Sequence, residues 1–127
     1  MDNVKTILCV DDDKLSRCIL QEFVRMLPSQ YVAVEAENGK DCLELVRQHY
    51  VDLIVLDYHL GDIRGHEICE KISTESVNQN VPIIIVSMID SQDIKKCCID
   101  HNIINIRQKP YPYEQFEQDV GLIFGSN

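Results

Sequence analysis

The sequence predicts an α/β protein built on a parallel five-stranded sheet with helices on both faces. Short apolar runs alternate with amphipathic segments along the whole of its 127 residues. The runs are nearly continuous in apolar residues, as strands covered on both faces are. Proline, glycine, asparagine or aspartate stands at most of the junctions. Right-handed crossovers then restrict the topology. The length fits one domain, taken as residues 1–127, around one core. No internal repeat, low-complexity segment or linker is visible.

The first run, Thr6-Ile7-Leu8-Cys9-Val10, reads as a buried strand that stops at three aspartates. Lys14 to Leu27 follows as a helix, with Leu15, Cys18, Ile19, Glu22, Phe23, Met26 and Leu27 at helical spacing and Pro28 ending it. Tyr31 to Ala36 is a second strand. After the Asn38-Gly39 turn, Asn38 with Asp41 three residues on resembles a helix N-cap. That helix runs to about His49, with Cys42, Leu43, Leu45 and Val46 inward. Asp52 to Asp57 is the third strand, and a loop with Gly61 and Gly65 leads into a helix through Ile68 and Ile72. Val81 to Ser87 is the most hydrophobic strand, suited to burial on both faces. Asp90 or Ser91 caps a helix through Ile94, Cys97 and Cys98. Ile103 to Arg107 is the fifth strand. Pro112 suits the first position of a last helix carrying Phe116, Val120 and Ile123.

Composition narrows the function. The net charge is −9, from 12 basic and 21 acidic residues, so direct nucleic-acid binding is not expected. No apolar run approaches a membrane span. The N-terminus lacks a basic region followed by an apolar stretch, which places the chain in the cytoplasm by default. The six cysteines include no C-x-x-C pair, and most sit in apolar patterns where a thiol acts as a small hydrophobe. The adjacent Cys97-Cys98 pair is a minor redox alternative.

The residues at the strand ends carry the chemistry. In open parallel sheets, ligands bind beyond the carboxyl ends of the strands. Strand one ends in Asp11-Asp12-Asp13, strand three in Asp57 and strand four in Ser87, and Lys109 follows strand five. Each alone has an ordinary explanation: a helix N-terminus, a turn residue, a solvated charge. Together, in this order, they converge. Two carboxylates about 4 Å apart repel by about 4 kcal/mol at an effective dielectric of about 20. A hard divalent cation relieves that repulsion and leaves positions for phosphate oxygens. A carboxylate can then attack phosphorus, and a lysine and a hydroxyl can stabilise the spreading charge.

On Ile7 to Asp13, Asp52 to Asp57, Gly65, Val86-Ser87 and Lys109-Pro110, the chain from Lys5 to Phe124 resembles a response-regulator receiver domain. The resemblance implies a flavodoxin-like (βα)5 fold with strand order 2-1-3-4-5, the order of the family's chemotaxis member. It implies phosphorylation of Asp57 by a histidine kinase or a histidine phosphotransfer protein, with Mg²⁺ or Mn²⁺. Asp12 would bind the metal directly, Asp11 mostly through water, and the backbone carbonyl of His59 would join Asp57 as ligand. Ser87 would hydrogen-bond the phosphoryl group and Lys109 would pair with it. The downstream target would be a protein docking on the helix 4, strand 5 and helix 5 face, and a homodimer through the fourth helix is among the expected assemblies. Such a module is not an enzyme beyond assisting its own phosphorylation and dephosphorylation. The family often has a cis bond before the proline that matches Pro110, and X-Pro permits one.

Departures from the family pattern are local. Gly61 replaces the usual proline, implying a more mobile loop. Met88 replaces a small residue beside Ser87, and Ile106 stands where an aromatic switch residue is common. His59 and Ile89 occupy positions that tune dephosphorylation in the family. Three alternatives stand beside the main reading. One is a receiver fold used as a phosphorylation-independent binding scaffold. Another is an aspartyl-phosphate phosphatase, disfavoured because His59 stands where its second aspartate belongs. The last is a zinc site from His59, His66 and Cys69.

Overall fold

The structure, a computed structural model of the chain, describes residues 4–89, 92–97 and 102–125. The apolar runs form β1 (Lys5–Val10), β2 (Tyr31–Ala36), β3 (Leu53–Asp57), β4 (Ile83–Ser87) and β5 (Ile103–Gln108). Alternating with them are α1 (Lys14–Met26), α2 (Gly39–Gln48), α3 (Gly65–Glu75), α4 (Gln92–Cys97) and α5 (Tyr113–Phe124). Every strand pair is parallel, and the order is β2-β1-β3-β4-β5, the flavodoxin-like order expected. The order reverses between β1 and β3, where a crevice opens at the carboxyl edge.

Alternate residues of the inner strands feed two cores. Leu8, Val10, Ile54, Leu56, Ile83 and Ile85 pack with residues of α2, α3 and α4 such as Val46, Ile68, Ile72 and Ile94. Ile7, Cys9, Leu53, Val55, Ile84 and Val86 pack with Leu20 and Val24 of α1 and Phe116 and Val120 of α5. β3 and β4 are buried at every residue. Burying one such aliphatic side chain is worth about 1.5–3 kcal/mol, so these strands define the sheet. Their register sets Val10 beside Leu56 and Asp57 beside Val86. β1, β3 and β4 therefore end level, which brings the polar residues after them to one edge.

Several expectations are corrected in detail. Asp52 lies before β3 rather than in it: its carboxylate accepts from the Thr6 amide at 2.7 Å and its amide donates to the Thr6 carbonyl at 2.8 Å. β4 starts at Ile83, because Pro82 has no N–H for the ladder and the Val81 amide turns back to the Asn78 carbonyl at 3.2 Å. Pro112 is the N-cap of α5, with φ −76° and ψ 150°, and Tyr113 is its first residue. On α1, Leu15, Ile19 and Met26 are exposed while Arg17, Leu20 and Val24 are buried. That helix carries apolar residues on more than one side, and contact with α5, where Phe23 and Phe116 lie 5.8 Å apart, selects the inner one. The Asn38 cap is as expected, its side chain accepting from the Asp41 amide at 2.7 Å. The caps expected at Asp90 or Ser91 fall outside the described residues, as does Cys98. No helix among the described residues is long and apolar enough to cross a membrane.

Candidate functional site

The three aspartates after β1 divide their work. Asp11 is buried; one carboxylate oxygen accepts from the Asp13 amide at 2.9 Å and the other lies 3.0 Å from Lys109 Nζ. Asp12 is exposed at the rim. Asp13 caps α1, accepting from the Ser16 amide at 3.0 Å and the Ser16 hydroxyl at 2.9 Å. The ordinary reading of an acidic run, a helix N-terminus, thus holds for Asp13 alone.

Asp57 is the last residue of β3 and only 6% exposed. Its Oδ1 accepts from the His59 amide at 3.0 Å, and its Oδ2 lies 3.4 Å from Lys109 Nζ. Lys109 arrives from the end of β5, where its amide donates to the Ser87 carbonyl at 2.7 Å. The Lys109–Pro110 bond is cis, as the sequence permits. Burial is the strongest influence on Asp57 and raises its pKa above the usual carboxylate range; the Asp11 charge adds to this, against the His59 amide and Lys109. Burial alone would lower the Lys109 pKa, but the Asp11 and Asp57 carboxylates hold it above its ordinary value.

Asp11, Asp12 and Asp57 each bring a carboxylate oxygen within 4.8 Å of the others. Lys109 reaches two of these three carboxylates, Asp11 and Asp57, so the cluster keeps a net negative charge. Hard oxygen donors with a residual negative charge fit Mg²⁺ or Mn²⁺. His59, His66 and Cys69 are not brought together as a second such group among the described residues, and Cys69 is buried in the core. The zinc alternative therefore has no support.

Ser87 is buried at the end of β4, but its hydroxyl accepts from the Ile89 amide at 3.1 Å rather than meeting Asp57. Met88 and Ile89 are exposed. Met88 does border the same crevice as Asp57, together with Ile19, Phe23 and Tyr111. Ile106 packs half-buried against the core under α2, α3 and α4. Gly61 has φ +91°, which proline cannot adopt.

Two supporting residues escaped the sequence reading. Arg17 is buried and donates to the Asp11 carbonyl at 2.8 Å and to Glu35 at 2.8 Å, tying the acidic loop to β2. The apolar spacing of α1 does not include Arg17, so no local signal marks it. Asp62, far from α2 in sequence, accepts from the Gly39 and Lys40 amides at 2.9 and 3.0 Å, and no local pattern announces it.

With this geometry in view, the family model described as the response regulator receiver domain matches residues 7–120. The chain belongs to this family. Receiver domains are parts of two-component systems, signalling phospho-acceptors rather than ordinary enzymes. This receiver domain is 29% identical over 111 residues to the histidine kinase P4 of Formosa agariphila, covering 87% of the chain and 8% of that protein. It is 26% identical over 83 residues to the polar-differentiation response regulator DivK of Brucella anthropi, covering 65% of the chain and 66% of DivK. The chain thus spans less than two thirds of the length of either curated relative. A CheY-like receiver domain protein from Methanospirillum hungatei superposes with a TM-score of 0.86 at 19% identity, covering 94% of this chain and 93% of that one. That likeness bears on the fold.

Proposed function

We propose that this receiver domain accepts a phosphoryl group on Asp57 and relays it as a change in partner binding. The donor is a histidine kinase or a histidine phosphotransfer protein, and kinship to a protein named histidine kinase P4 supports that choice. Asp11, Asp12, Asp57 and the backbone carbonyl of His59 would hold Mg²⁺ or Mn²⁺. The observation that carries the reading is Asp57 itself. A buried carboxylate at the carboxyl edge lies 3.4 Å from Lys109 Nζ and within 4.8 Å of two further acids.

A bound cation would supply positive charge against the carboxylates and the transferring phosphoryl oxygens. The protein's own groups do the rest. An Asp57 oxygen attacks phosphorus; the P–N bond to the donor imidazole breaks, and the imidazole nitrogen keeps that electron pair and takes a proton from solvent. The product is an aspartyl phosphate. Lys109, already beside both buried carboxylates, pairs with the incoming oxygens. Ser87 would exchange its contact with the Ile89 amide for one with the phosphoryl group, drawing the loop after β4 toward the site and altering the α4, β5 and α5 face. A protein target reads that face; neither nucleic acid nor membrane is the expected partner. The unit works as one domain over residues 1–127, in the cytoplasm, assisting only its own phosphorylation and dephosphorylation. Met88 borders the Asp57 crevice but is largely exposed; the scaffold alternative predicts that Asp57 takes no phosphoryl group.

Incubation with acetyl phosphate and Mg²⁺ followed by intact-mass measurement tests this. One phosphoryl group should add to the wild type and none to Asp57→Asn. No addition to the wild type, or equal addition to the variant, overturns the proposal.

A further inference from the structure

The loop after β3, residues 58–64, is held at several points. The Tyr58 amide donates to the Val86 carbonyl at 2.9 Å and the His59 amide to Asp57 at 3.0 Å. Leu60 is buried in the core. His59 and Arg64 form an isolated antiparallel bridge, which pairs the start of the loop with its end. Asp62 anchors the far side: one oxygen accepts from the Gly39 amide and from the Ile63 amide, both at 2.9 Å, and the other from the Lys40 amide at 3.0 Å.

The first amides of a helix have no partner within it. In α2 they are fully accounted for. Asn38 takes the Asp41 amide through its side chain and the Cys42 amide through its carbonyl. The first two, Gly39 and Lys40, belong to Asp62, which is 23 and 22 positions away. A carboxylate against two amides at a helix N-terminus is a charge-assisted contact. Gly39 also sits close under this loop and α3, where a Cβ would lie 3.0 Å from Ile68 Cδ1 and 3.1 Å from both Asp62 Oδ1 and Ile63 Cβ.

We propose that Asp62 is a positioning residue for the cation site: its clamp on α2 fixes the loop, and the His59–Arg64 bridge passes that fixation to the His59 carbonyl. This rests on the phospho-acceptor reading above. Loss of the clamp lets the carbonyl wander and weakens the cation without touching any ligand.

The test is a Mg²⁺ titration of the purified chain followed through amide resonances by NMR, with phosphorylation by acetyl phosphate measured in parallel. Asp62→Ala should weaken Mg²⁺ binding about tenfold, the lower end for a supporting residue. Asp62→Asn, which keeps one acceptor oxygen, should fall between. Gly39→Ala, which crowds the clamp without removing it, should weaken binding too and covers the case in which Asp62→Ala does not fold. Asn38→Ala removes a cap from the same helix but leaves the loop tied, so its affinity should stay within about twofold of wild type. Equal affinity in Asp62→Ala, or equal weakening in Asn38→Ala, overturns the positioning role while leaving the phospho-acceptor reading intact. A wild type that neither binds Mg²⁺ nor takes a phosphoryl group overturns both.

Discussion

At position 65 a side chain would collide with its neighbour. A Cβ there would lie 2.5 Å from Cδ1 of Tyr58, the residue directly after Asp57. Gly65 is also the first residue of α3, so the helix starts directly against the Tyr58 ring. Gly65→Ala should destabilise the protein by about 1–3 kcal/mol, the usual cost of overpacking, read from urea unfolding at neutral pH. A midpoint equal to wild type would mean that the Tyr58 ring turns aside freely. The same scale explains why three adjacent aspartates differ: Asp11 faces inward to Lys109, Asp12 stays at the rim, and Asp13 is consumed by the α1 cap. Their identities are visible in the sequence, but their division of labour follows from where the chain turns after β1.

Among elements, the joint between β5 and α5 rests on an ion pair with one buried partner, Asp119, and one half-buried partner, Arg107. Asp119 of α5 is fully buried and accepts from Arg107 of β5 at 2.9 and 2.7 Å, from the Tyr111 hydroxyl at 2.5 Å and from Gln115 at 3.0 Å. Burial pushes the Asp119 carboxyl up, but these donors outweigh it and hold its pKa below the ordinary value. A depressed carboxyl stabilises the fold above its unfolded pKa, about 3.9, and that stability is lost as pH falls through the folded value. Asp119→Asn should therefore cost about 1–3 kcal/mol at pH 7, because it weakens the acceptor that Arg107, itself partly exposed, and Tyr111 donate to. The gap between wild type and variant in urea unfolding should narrow below pH about 4. A gap that is constant with pH would mean that the charge on Asp119 does not matter. This network was not legible in the sequence, because a strand residue and a helix residue 12 apart meet only after the chain folds back.

Over the whole molecule, the net charge of −9 and the acidic cluster make a divalent cation a stabiliser on the proposed reading. A ligand that binds only the native state stabilises by about 2.7 kcal/mol at a hundred times its dissociation constant. Thermal unfolding should shift upward by several degrees in Mg²⁺ relative to NaCl of equal ionic strength, which controls for screening. Asp12→Asn should lose most of that shift. An equal rise in NaCl, or an undiminished rise in the variant, would show general screening rather than a site.

Most of the architecture could be read from the order of residues. Continuous apolar runs between amphipathic segments specify a covered parallel sheet, because burial is local in its demand for side-chain type. The resemblance then supplied the strand order, and the convergence of Asp11, Asp12, Asp57 and Lys109 follows from that order. Folding alone decided which side of α1 turns inward, that Pro112 caps rather than begins α5, that Ser87 spends its hydroxyl on Ile89, and that Asp62 and Arg17 brace the acidic loops. Such choices depend on hydrogen bonds and packing between segments distant in sequence, whose partners no local periodicity can name.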